Sequence, residues 1–148
     1  MPPRPRAQRK ADALEKLAHD EDAWVATASP AGVAHLVPLS FVWDGERVVI
    51  ATEATSVTAR NVVASGRARL GLGPTRDVVV VDTEVEVVGA TEVGDAHAQL
   101  FAERLGWDPR PYGGGWVYLL MRPVRVLAWR EADELEGRVV MRDGTWVE

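Results

Sequence analysis

The stretch AWVATASPAGVAHLVPLSFVWDGERVVIATE, residues 23–53, decides the fold. It holds three apolar runs rich in Val and aromatic residues, divided by PAG at 30–32 and by DGE at 44–46. β-Branched and aromatic runs bounded by Gly, Pro and Asp read as strands, and a DG step between two such runs reads as a hairpin. The reading is strand, turn, strand, turn, strand, an antiparallel meander.

Working outward, ATEATSVTARN (51–61) runs from the third strand into a cluster of hydroxyls. Thr55 or Ser56 caps a helix that stops before Gly66. RARLGLG (67–73) and DVVVVDTEVEVVG (77–89) are two further strands joined by GPTR. Thr91 caps a second helix whose buried face is Val93, Ala96, Leu100, Phe101 and Leu105, with Gly106 as its stop. GWVYLLMRPVRVLAWRE (115–131) is a long strand, and Pro123 within it marks an edge or a bulge. RVVMRDGTWVE closes the sequence as a hairpin around DG. On the amino-terminal side, Ala11, Leu14, Leu17 and Ala18 recur at helical spacing, so 10–20 is an amphipathic helix. Residues 1–9, rich in Pro and Arg, read as a flexible basic arm. The order β-β-β-α-β-β-α-β with hairpin connections gives a mainly β (α+β) domain over residues 10–148. Its architecture is a six-stranded antiparallel barrel with a few peripheral helices. So small a barrel is filled by its own side chains, and a ligand must sit outside it.

Composition narrows the function. The chain has 148 residues, 47% hydrophobic and 26% charged, enough for one domain with a core. Its net charge of −5 argues against a general nucleic-acid surface. No apolar run is long enough to span a bilayer, so a cytoplasmic protein is expected. The absence of cysteine removes disulfides and thiolate chemistry. His19, His35 and His97 have no paired spacing, so no metal site is expected. GLGPTR at 71–76 leads into a strand, not a helix, and is a turn rather than a dinucleotide loop. Asp82, Glu84 and Glu86 alternate on one strand and share a face, most simply a solvated one. Six tryptophans are present, and some could flank a flat ring. Thr55, Ser56 and Thr58 surround a helix start, where free N–H groups and the dipole attract anions, with Arg60 and Asn61 one turn further in. A capped helix and a phosphate cradle fit that stretch equally.

The order and spacing of WVATASPAGVAHLVPLSFVWDGERVVIAT, SVTARN, RARLGLGPTRDVVVVDTEVEVV and RPVRVLAWREADELEGRVVMRDGTW resemble the pyridoxamine 5′-phosphate oxidase-like split-barrel flavoproteins. The resemblance spans roughly residues 10–148. It implies a split β-barrel, a homodimer, and a flavin ring held at the interface of the two chains. It places Pro38, Leu39 and Ser40 along the ring and Thr52 near the ring or ribityl chain. Ser56, Arg60 and Asn61 fall at the phosphate, and Asp77 at a position that hydrogen-bonds the ring. Trp129 of the second chain and Arg138 become further cofactor contacts. Val57 and Thr58 stand where the oxidase has a basic pair, Glu134 and Glu136 where it grips substrate, and Ser40 where it has a lysine. Two acids repel pyridoxamine phosphate, so oxidation of that vitamer is not expected. The chain's size and its Ala-, Val- and Arg-rich composition resemble a related branch that uses the deazaflavin F420, whose acidic tail the basic arm or Arg67 and Arg69 could meet. The resemblance thus implies an oxidoreductase that transfers hydride from F420 to an unsaturated or quinone-like small molecule. FMN is the alternative cofactor, and a non-catalytic flavin-, haem- or F420-binding module the alternative role.

Overall fold

The computed structural model describes residues 2–147. The outer ends of the expected arm and domain, residues 1 and 148, lie outside them. The element order is α1 (Arg6–His19), β1 (Asp22–Ala28), β2 (Ala34–Ser40), β3 (Val42–Trp43), β4 (Val48–Glu53), α2 (Val57–Ser65), β5 (Arg67–Leu72), β6 (Val78–Gly89), α3 (Asp95–Leu105), β7 (Trp116–Trp129), β8 (Val139–Arg142) and β9 (Thr145–Trp146). The strands form one curled antiparallel sheet in the order β2-β1-β5-β6-β7-β4-β3, with the β8–β9 hairpin paired to β7. This is a split barrel.

The expected meander is corrected in one respect. The run 33–43 is two strands: β2 pairs with β1, whereas β3 pairs with β4. The break is Phe41, which is buried and whose N–H bonds to the Glu21 carbonyl. A strand cannot both follow β1 and turn onto β4, because the sheet's twist separates them. Burying one large ring at the corner fixes where the chain switches.

β4 and β7 sit between two apolar layers. Val48, Ile50, Leu119 and Met121 face the barrel core with Leu17, Val25, Phe41, Leu70 and Val81. Val49, Ala51, Tyr118 and Leu120 face a second cluster with Phe101 of α3. Burial on both faces explains why VVIA and YLLM are continuous apolar runs rather than alternating ones. Pro123 does mark a bulge. Asp82 pairs with Arg125 and Thr83 with Pro123, so Val124 is the extra residue. The bulge shifts the side-chain phase by one, which keeps Val126 and Ala128 in the core and turns Arg125 outward.

Two helix boundaries differ from expectation. α3 begins after Gly94, not at Thr91, because residues 89–93 form a turn in which Glu92 and Val93 bond to the Gly89 carbonyl. Its buried residues are Ala98 and Phe101, and Ala96 is exposed. α1 begins at Arg6, so the last four residues of the expected flexible arm are helical, and Arg4 and Arg9 are used internally. Arg4 forks onto Glu134 (2.8 and 3.0 Å) and reaches Asp12 (2.7 Å), while Arg9 donates to the Glu134 carbonyl at 2.8 Å. The Glu134 side chain is only 3% exposed. The Arg4 hydrogen bond outweighs the opposing cost of burial and holds this carboxyl down at about 2. A buried carboxylate without its partner is costly.

Arg4→Ala is therefore expected to lower the unfolding free energy by about 3 kcal/mol at neutral pH, read by urea unfolding. The carboxyl is depressed in the folded state, so its stabilisation is full above the ordinary value of 4.5 and is lost as pH falls toward 2. The gap between wild type and variant should accordingly close between those two pH values. A gap independent of pH would contradict the assignment.

Candidate functional site

Ser56 caps α2. Its Oγ accepts from the Ala59 N–H at 3.1 Å, and the Thr52 hydroxyl donates to it at 3.2 Å. The strand end and the helix start are thus joined by hydroxyls, and Thr55 is not the cap. Beside them lies a cavity of about 390 Å³, lined by Pro38, Leu39 and Ser40 of β2, Ala51, Thr52 and Glu53 of β4, and Ser56. Phe101, Trp107 and Trp116 complete its wall.

That wall is a chain of rings. Tyr118 meets Phe101 at 5.6 Å, Phe101 meets Trp107 at 5.2 Å, and Trp107 meets Trp116 at 5.1 Å, each edge to face. Edge-to-face contacts satisfy the ring quadrupoles and hold the wall stiff. Burial pushes the Tyr118 phenol upward, so it stays neutral. None of the lining residues is a cation. The cavity is of the size and character that takes a small flat molecule, apolar on one side and hydroxyl-bearing on the other.

The structure brings together Pro38, Leu39, Ser40, Thr52 and Ser56. Arg60 lies one turn along α2 and is exposed, with no ion pair among the described residues. Asn61 is buried, and its amide donates to the Thr27 hydroxyl at 3.0 Å. That bond ties α2 to β1 and so positions the hydroxyl cluster. Asp77, Trp129 and Arg138 form a separate group. Asp77 ion-pairs with Lys16 at 3.1 Å and Arg130 at 3.4 Å, and the Arg138 guanidinium lies over the Trp129 ring at 6.0 Å. Register explains the grouping, since Val78 pairs with Trp129. Within one chain the site residues therefore fall into two clusters.

Phe101 enters the sequence reading only on the buried face of a helix, and Trp107 and Trp116 only among the six tryptophans that could flank a ring. The signals were an apolar helical face and a tryptophan just past the Gly106 stop. Only the packing of α3 against β4 and β7 turns them into one wall. Among the described residues no group of three or more His, Asp or Glu is placed to hold a metal ion, and no helix is long and apolar enough to cross a membrane.

The strands and the cavity on their outer side make this a split-barrel protein. The pyridoxamine 5′-phosphate oxidase family model matches residues 10–130. The chain belongs to that family. No curated protein matches it in sequence. Among solved structures it is similar to an F420 reductase, with 21% identity and a TM-score of 0.61 over 76% of this chain and 93% of that one. A conserved hypothetical protein from Mycobacterium tuberculosis is similar at 19% identity and TM-score 0.65, covering 84% and 86%. A haem storage protein from Vibrio cholerae is similar at 13% identity and TM-score 0.60, covering 82% and 92%. At these identities the likeness is one of fold.

Ser56→Ala removes the acceptor for the Ala59 N–H and the partner of Thr52. It is expected to cost about 1 kcal/mol, measured by thermal unfolding of the purified protein. A variant as stable as wild type would show that the hydroxyl does not cap α2.

Proposed function

We propose that the chain is an oxidoreductase that binds F420 in a cleft shared by two copies and passes hydride to a small unsaturated or quinone-like acceptor. FMN is the alternative cofactor. The observation that carries this reading is the cavity between β2, the α2 hydroxyl cluster and the ring wall of Phe101, Trp107 and Trp116. Its lining suits a flat tricyclic ring with a phosphate at one end. Pro38, Leu39 and Ser40 would lie along the ring, with Thr52 near the ring or the chain leaving it. Ser56, the first-turn N–H groups of α2 and Arg60 would meet the phosphate, and the Asn61 amide would hold the helix in place. When bound, the cofactor supplies the hydride chemistry. The protein orients the ring and keeps bulk water from one face. A solved F420 reductase with this fold is consistent with the deazaflavin, and the sequence resemblance favours it.

A homodimer is part of the proposal. Asp77, Trp129 and Arg138 stand apart from the cavity within one chain, and a second copy would supply them. The outer face of β1 and β2 supports this arrangement. Trp24 is 53% exposed and Leu36 59% exposed there, alongside exposed Pro38. Neighbouring apolar side chains left open to water mark an interaction surface. The second reading is a module that holds a flavin, haem or F420 without turnover. It draws on Trp107 and Trp116 standing in the cavity wall, where they could cover the reactive face of a ring.

Titration of the cofactor-free protein with F420 and separately with FMN, followed by cofactor fluorescence, tests the reading. Binding of F420 at micromolar or lower concentration, weakened about tenfold in Arg60→Ala through loss of one charge-assisted contact, is the expected result. Preference for FMN would replace the deazaflavin, and binding of neither would end the proposal. Leu36→Lys, which places a charge on the β1–β2 face, is expected to give monomers in sedimentation velocity. Wild-type protein that sediments as a monomer at all concentrations would contradict the dimer.

A further inference from the structure

Glu53 ends β4 directly across the ladder from Trp116, the first residue of β7. Residues opposed on one face of a sheet bring their Cβ atoms within about 5 Å. Alternation puts both side chains on the α3 side of β4, with Ala51 and Tyr118, whereas Thr52 faces the other way, toward Ser56. The carboxylate therefore stands apart from the hydroxyls at the polar edge of the cavity. Glu53 is exposed and makes no hydrogen bond or ion pair among the described residues. It is the one charged side chain among the described residues that line the cavity.

Three rings gather beside it. Trp107 meets the Trp116 indole at 5.1 Å and 70°, so the two form a corner, and Tyr112 stands 6.4 Å from Trp116 at 41°. Both tryptophans line the cavity and are half-buried, while Tyr112 is 68% exposed on the turn Arg110–Gly115 that leads into β7. Arg110 of that turn is taken by Asp108, at 2.8 and 3.0 Å, and leaves Glu53 unpaired. On the β2 side Ser40 donates to Asp22 at 2.6 Å, so a second acid lies behind the lining. The corner joins aromatic faces to an unpaired negative charge. Ring faces attract organic cations through their quadrupole, most of all cations whose charge is surrounded by carbon, and a carboxylate beside the rings adds to that attraction.

We propose that the ring cavity takes an organic cation, a quaternary ammonium group or an N-alkylated aromatic ring, against Trp107, Tyr112 and Trp116 with Glu53 as the counter-charge. The same carboxylate turns anionic rings away from this corner. As a binding site this stands on the geometry alone. As the charge class of the small-molecule acceptor it rests on the oxidoreductase reading, and it makes Glu53 the residue that selects for charge.

Isothermal titration of the full chain in neutral buffer with three probes of one shape tests the proposal: N-methylquinolinium, quinoline and quinoline-2-carboxylate. Saturable binding in the order cation, neutral ring, anion is expected. Glu53→Gln should weaken the cation about fivefold and leave quinoline within about twofold. Tyr112→Ala should weaken the cation about threefold. Glu46→Gln, which removes an equal charge at the other end of β4, should leave it within about twofold. All three positions are exposed, and circular dichroism checks that each variant is folded. Equal affinity for cation and neutral ring, no binding of the cation, or an equal loss in Glu46→Gln would overturn the proposal. Titrations with F420 and FMN on the same preparations separate the two readings. Cofactor binding without preference for the cation sinks this proposal and leaves the oxidoreductase reading standing. Cation binding as expected, with neither cofactor bound, supports the site and ends that reading alone.

Discussion

The antiparallel pairing of β6 with β7, running from Val78–Trp129 to Gly89–Val117, is the constraint on which the rest of the structure depends. Its middle carries the bulge at Val124, which sets the side-chain phase on either side. One half of β7 then builds the wall between two cores, with Leu119 and Met121 inward and Tyr118 and Leu120 outward. The other half returns Val126 and Ala128 to the barrel and leaves Trp129 beside Asp77. A change in register by one residue would bury Arg125 and expose Met121 at once, which no surrounding contact could offset.

The ring cavity follows from this frame. β7 starts with Trp116, so the end of the long strand delivers an indole to the rim of β4. The outward face of β7 gives α3 an apolar bed, and Phe101 and Trp107 arrive with the helix. On the other side, the capped start of α2 brings Ser56 against Thr52. Cavity and cap are one construction: the hydroxyls that terminate the strand and open the helix also supply the polar edge of the pocket.

Much of this was legible in the sequence. Apolar runs separated by DG, GPTR and PAG placed the strands, Gly66 and Gly106 placed two helix ends, and Pro123 marked the bulge. The grouping of Pro38, Leu39, Ser40, Thr52 and Ser56 came from the family resemblance and not from a local pattern, because β2 and β4 stand far apart in the strand order and both line the cavity only once the sheet curls. Other features depend on tertiary contacts that no local pattern carries. The break at Phe41 comes from the curl of the whole sheet. The ordering of the first residues comes from a buried Glu134 far along the chain, whose need for a cation turns an apparently loose arm into a packed one. Thr91 looked like a cap because Ser and Thr often are, yet the turn at 89–93 places it three residues before the true cap, Gly94. The aromatic wall was invisible for the same reason, since it is assembled across strands and helices distant in sequence.

The central claim is that the space between the α2 hydroxyls and the aromatic wall receives a flat cofactor ring. The most direct test is an NMR titration of protein labelled at the indole nitrogens, with F420 or FMN added to saturation. Six tryptophans give six signals. The account predicts large shifts for Trp107 and Trp116, and none for Trp146, which packs under Lys10 at the far end of the chain. Binding that leaves Trp107 and Trp116 unmoved would place the ring elsewhere and contradict the account.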